Sequence, residues 1–136
     1  MKTKLLQVAS ILVVGLLLAT VRVFAHHGVA AYNDVKVVTI SGTVTSFQFI
    51  NPHCIVNVDV KDSSGNVQKW TVEAPPPSMM KHSAGWYRDM MKAGDQITVD
   101  LHTAKNGSDV GKIAGSGNMI LNGKHLQAPG YGLRRM

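Results

Sequence analysis

From Cys54 to Val60 the chain alternates without interruption: Cys54, Val56, Val58 and Val60 point one way, Ile55, Asn57 and Asp59 the other. A period of two belongs to a strand with one buried face, not to a helix. Asp62-Ser63-Ser64-Gly65-Asn66 follows as a hairpin connection. Val67 to Ala74 is the returning strand, with Trp70 and Val72 inward and Lys69, Thr71 and Glu73 outward. The chain is therefore committed to antiparallel sheet. Cys54 is its single cysteine, so no internal disulfide can hold that sheet, and packing must. Cys54 itself reads as a buried, inert thiol.

The rest of the sequence extends the same grammar. Val37 to Phe49 is rich in Val, Ile, Thr and Phe, residues that suit a pleated surface. Val38, Ile40 and Val44 share one parity, Phe47 and Phe49 the other, and Gly42 is the expected point of a bulge or bend between them. Asn33-Asp34 and Asn51-Pro52 bracket this strand with turn signals. Pro75-Pro76-Pro77 ends the returning strand. Ser78 to Lys92 carries a short helical insert that Ser78 can cap and Gly85 splits. Gln96 to Thr103 and Ile113 to Leu121 are further strands, and Asn122-Gly123 is the strongest hairpin signal. The fold class is mainly β. A sheet of this length must manage its edges, and a five-stranded Greek-key barrel does so, with a short helix plugging one end between the third and fourth strands. The expected architecture is a small antiparallel OB-like barrel over residues 26–127, followed by a flexible tail over 128–136. An open sandwich is the next choice.

A basic start, Met1 to Lys4, precedes an uncharged run from Leu5 to Val21, and Val23 and Ala25 place small side chains where a signal peptidase reads. The run falls short of the roughly 20 residues that span a bilayer. Residues 1–25 are thus expected to form a signal-peptide helix cleaved after Ala25, giving a periplasmic or secreted bacterial protein, with an uncleaved anchor as the alternative and the only expected membrane contact. Loss of Lys2, Lys4 and Arg22 lowers the formal charge from +6 to +3. With its charges scattered, the mature chain offers no case for nucleic acid.

His26-His27 at that start, Gly42-Thr43-Val44, Asn51-Pro52-His53, Gly85-Trp86 with Arg88-Asp89, and Gly94-Asp95 occur in this order. In these motifs the chain resembles a family of small exported bacterial proteins of unknown function, over residues 26 to 126. The resemblance implies a periplasmic or secreted β-barrel and no assigned reaction. Cys54 departs from it, since an apolar residue is more usual after the Asn-Pro-His turn. Beside His53 the thiol is either an extra ligand or a core substitute. The strand pattern also resembles exported bacterial OB-fold domains that bind small ligands.

Cleavage after Ala25 makes His26 the first residue. A free α-amine titrates near 8, so a metal displaces its proton readily. That amine and the His26 ring close one chelate, and an imidazole from His53 completes a flat, nitrogen-rich set suited to copper as Cu(II). Alternatively His27, as second residue, binds through the amine, the intervening amide and its ring. If Asn33-Asp34 reverses the chain, the eight residues from Asp34 back to His26 cover about 27 Å against about 37 Å from Val37 to Gln48, which leaves a gap of roughly 10 Å to His53. Set against this is a solvated terminus with His53 in a plain turn.

Other constellations read as structural. His82, His102 and His125 stand alone. Met79, Met80, Met90 and Met91 could offer thioethers to Cu(I), but Met fills irregular cores. Trp70 and Trp86 belong to packing. No nucleophile elbow, phosphate loop or CxxC occurs, and Glu73 is the only glutamate, a poor start for paired-carboxylate hydrolysis. The reading is a non-enzymatic binding domain whose ligand is a copper-type divalent ion held by His26, His27 and His53. The alternatives are a metal-free barrel that binds a small ligand or a protein partner near Asn51 to His53, and a copper redox enzyme.

Overall fold

The computed structural model describes residues 31–115 and 117–127. The expected signal segment and the expected tail from residue 128 lie outside them. Among the described residues, seven strands and one helix follow in the order β1 (Tyr32–Gln48), β2 (Cys54–Lys61), β3 (Val67–Ala74), α1 (Pro77–Ala84), β4 (Gln96–Ala104), β5 (Val110–Ile113), β6 (Met119–Leu121) and β7 (Lys124–His125). The sheet runs β1-β2-β3-β5-β4, and β1 pairs with β4 as well, which closes a five-stranded barrel. Among the described strands only β3 and β5 pair in parallel. β6 and β7 extend from β4.

One 17-residue strand makes closure possible. The first half of β1 pairs with β4, through Thr43↔Gln96, and its second half pairs with β2, from Thr43↔Asp59 to Gln48↔Ile55. Gly42 sits at that handover, where a Cβ would stand 2.4 Å from the Asp59 carbonyl oxygen. The change of face expected at Gly42 falls slightly later. Val44↔Val58 is followed by Ser46↔Asn57, so Thr45 is the extra residue of a bulge. Ile40 and Val44 are buried before it, and Phe47 and Phe49 pack on the same core after it.

Two further expectations are corrected. Asn33-Asp34 does not reverse the chain. Its turn chemistry instead makes an irregularity within β1: the Asn33 side chain accepts the Val35 and Lys36 amides, while β1 advances from Tyr32↔Ala104 to Val37↔His102. The strand expected over Ile113 to Leu121 is broken between Ile113 and Met119, because Asp100 of β4 holds the crossing by its backbone. The Ala114 amide donates to the Asp100 carbonyl, and the Asp100 amide donates to that of Asn118.

The helix lies between β3 and β4, as the barrel requires. Pro77 rather than Ser78 opens it, with no side-chain cap. Gly85 ends it in the left-handed region (φ 69°) instead of splitting it. Met80 of α1 and Trp86 just beyond are fully buried, and the Trp86 ring meets Phe47 edge-on at 5.9 Å. They plug the barrel over Val56, Val72 and Val99. Asn122 and Gly123, both at positive φ, form the expected hairpin turn between β6 and β7.

Candidate functional site

His26 and His27 lie outside the described residues. His53 closes the β1–β2 connection, immediately before β2. Ladder pairing continues past the strand end, with the Cys54 amide donating to the Pro75 carbonyl at 3.3 Å. Cys54 is fully buried, so the alternation of β2 puts His53 on the outer side with Ile55 and Asn57. There His53 is partly buried. It makes no hydrogen bond or ion pair with the described residues.

Sequence reasoning missed its neighbour. Ile55, two residues past His53, pairs with Glu73 of β3. Glu73 is partly buried and accepts the Tyr32 phenol at 2.6 Å. Lys112 is its partner in the ladder, yet the Lys112 ammonium turns away to Asp34, at 2.6 Å, and sits over the Tyr32 ring. That contact holds the Asp34 carboxyl below the usual range. Alternation marked Glu73 as outward, but no sequence signal gives the strand register that pairs it with Ile55, or the bond from Tyr32.

Tyr32 is buried, and its phenol ties the start of β1 to the outer face of β3, without the reversal expected at Asn33-Asp34. A cavity of about 310 Å³ adjoins that face, bounded by Tyr32 and Glu73 on one side and by Ala104, Lys105 and Ser108 at the β4–β5 connection on the other. OB barrels take ligands on the face of their second and third strands and on the flanking connections.

The other candidates are structural. Met80 and Met91 are buried, and Met90 packs against the core. His102 places Nδ1 3.1 Å from the Asn33 carbonyl, and His82 and His125 are exposed. Burial pushes the Cys54 thiol up to about 11, so it is no ready nucleophile or ligand. Among the described residues no three His, Cys, Asp or Glu side chains cluster tightly enough to hold a metal. No curated protein matches the chain. The profile of DUF6152, a family of unknown function, matches residues 14–113, and the chain belongs to that family.

Proposed function

We propose that the protein is an exported OB-like binding barrel that holds a copper-type divalent ion through the His26 amine and ring and the ring of His53, with His27 as the alternative second ligand. The observation that carries the reading is His53, a partly buried imidazole with no partner among the described residues. Tyr32 ties the first strand to Glu73 of the strand that pairs with β2. Imidazole nitrogens with an amine make a tetragonal set that favours Cu(II) over oxygen-seeking ions. Export supplies the amine, since only cleavage after Ala25 exposes it on His26. The domain itself does no chemistry in this reading; it binds.

Titration of Cu(II) into mature protein and into His26→Ala and His53→Ala variants tests the site. Each variant should bind at least tenfold more weakly. Equal affinity in all three refutes it, and so does a mass spectrum in which the exported chain starts elsewhere than His26. The cavity beside Glu73 supports the metal-free alternative, because about 310 Å³ is at the lower end of small-ligand sites, about 300–1,000 Å³. Metal content of protein purified from its native compartment separates the two readings.

A further inference from the structure

We infer that the cavity between Tyr32, Glu73 and the β4–β5 connection holds a small aliphatic zwitterion, with the ligand's ammonium on Glu73 and its carboxylate on Lys105. The inference gives the metal-free alternative a ligand class and rests on that reading. It does not use the histidine site, so the two are tested separately.

Three observations carry it. The first is the place itself. Ala31, Ala104 and Val110 give a cavity of about 310 Å³ an apolar lining. The Lys105 amide donates to the Ala31 carbonyl at 2.9 Å, which ties two of its walls together. Such a volume is at the lower end of small-ligand sites, about 300–1,000 Å³, and suits a short aliphatic body. The second is an anion short of donors. Glu73 lines the cavity, is partly buried and takes one hydrogen bond among the described residues, from the Tyr32 phenol to Oε2. A carboxylate has about four acceptor positions on its two oxygens. Lys112, the cation next to Glu73 in the ladder, is bonded to Asp34 instead. An ammonium in the cavity supplies the missing charge-assisted bond.

The third is a cation on the opposite side. Lys105 lines the same cavity and makes no ion pair among the described residues. Beside it, the Asn106 side-chain oxygen is used by the Ser108 amide and hydroxyl, which leaves the Asn106 NH₂ group as a further donor. These charges select the ligand. A simple amine meets repulsion at Lys105, and a simple carboxylate meets it at Glu73. A molecule carrying both charges answers both groups, and its carbons cover Ala104 and Val110. Glu73 is the stronger contact, because it is partly buried while Lys105 is exposed and screened by water.

The test is an NMR titration of the mature chain after treatment with a chelator, so that no probe is held through a copper ion. The probes are L-norvaline and its isomer δ-aminovalerate, which differ in the separation of their charges, and pentylamine and valerate, which keep one charge each on the same carbon chain. One of the two zwitterions should bind about tenfold or more tighter than pentylamine and valerate, with shifts at the Ala104, Lys105 and Val110 amides. Glu73→Gln keeps an acceptor for the Tyr32 phenol and should weaken that binding by about 10- to 100-fold. Lys105→Gln, at an exposed position that the fold does not need, should weaken it by about two- to fivefold. Ala104→Leu, with its fold checked by thermal melting, should fill the cavity and abolish it. If pentylamine or valerate binds as tightly as either zwitterion, only one charge is read; the inference is wrong and the small-ligand reading stands. If a zwitterion binds equally well to folded Ala104→Leu and to Lys105→Gln, it is held elsewhere and the inference is wrong. If no probe shifts the cavity amides, the inference falls and the small-ligand reading of this cavity falls with it.

Discussion

Gly42→Ala should be among the most damaging single-methyl additions in this barrel. The new Cβ would lie 2.4 Å from the Asp59 carbonyl oxygen, 2.8 Å from Val58 Cγ1 and 3.0 Å from the Asp59 carbonyl carbon. Relaxed contacts between carbons lie near 3.5–4.0 Å. Val58 can turn its methyl aside; the Asp59 carbonyl cannot move without parting the strands. The first β1–β2 pair, Thr43↔Asp59, must therefore open. Overpacking costs about 1–3 kcal/mol, and a clash with backbone belongs at the upper end, about 3 kcal/mol. For a domain of this size each kcal/mol moves Tm by about 4–8 °C, so the mature variant should melt roughly 12–24 °C lower, read by circular dichroism. Gly65→Ala is the control. Nothing lies within 4 Å of its Cβ, and the penalty comes only from φ +87°, about 1–2 kcal/mol. A Gly42→Ala protein that melts with the wild type, or above Gly65→Ala, would refute the close-approach argument.

Cys54 should resist a water-soluble thiol reagent at pH 8 in folded protein and react at once in denaturant, because it is fully buried and its thiol is raised to about 11; immediate labelling of native protein would contradict its core position. Acid should destabilise the barrel through Asp95. The Asn122 amide, then the Lys92 backbone amide and ammonium, hold its carboxyl below 3.8. A depressed folded value means that this stabilisation is present above the unfolded value and is lost as pH falls through the folded one. Tm should therefore drop as pH falls below about 4, and Asp95→Asn should flatten part of that drop while Asp34, Asp62 and Asp100, also depressed, keep the remainder. An unchanged slope in Asp95→Asn would remove Asp95 from the account.

Local chemistry made the barrel legible. The alternation from Cys54 to Val60, the hairpin at Asp62–Asn66, the Pro75-Pro76-Pro77 stop and the Asn122-Gly123 turn each act within a few residues, and each appears where the sequence put it. What stayed hidden depends on partners far along the chain. The bulge at Thr45 satisfies the register of β2, whereas Gly42 only answers the Asp59 carbonyl. The gap between β5 and β6 is set by Asp100 on another strand. Asn33-Asp34 carries a true turn signal, but pairing of Val37 to Thr43 with β4 outweighs it, and the side chain settles for capping an irregularity.

The candidate site divides along the same line. His53 was legible because a histidine after Asn51-Pro52 must sit in a connection. Glu73 was not, since its meaning comes from the Ile55 pairing and from a phenol 41 positions earlier. Accounting for polar groups then distinguishes the two from their peers. Of the carboxylates that are not fully exposed, Asp95 takes donors from Lys92 and Asn122, Asp100 from Thr39 and Asn118, and Asp59 from Lys69. Glu73 takes a single phenol. Of the partly buried histidines, His102 meets the Asn33 carbonyl, and His53 meets nothing described. Leaving a polar group partly desolvated and unpartnered costs about 1–3 kcal/mol, more for a charge. Asp59, with one exposed lysine, and Glu73, with one phenol, are thus the least satisfied of these carboxylates.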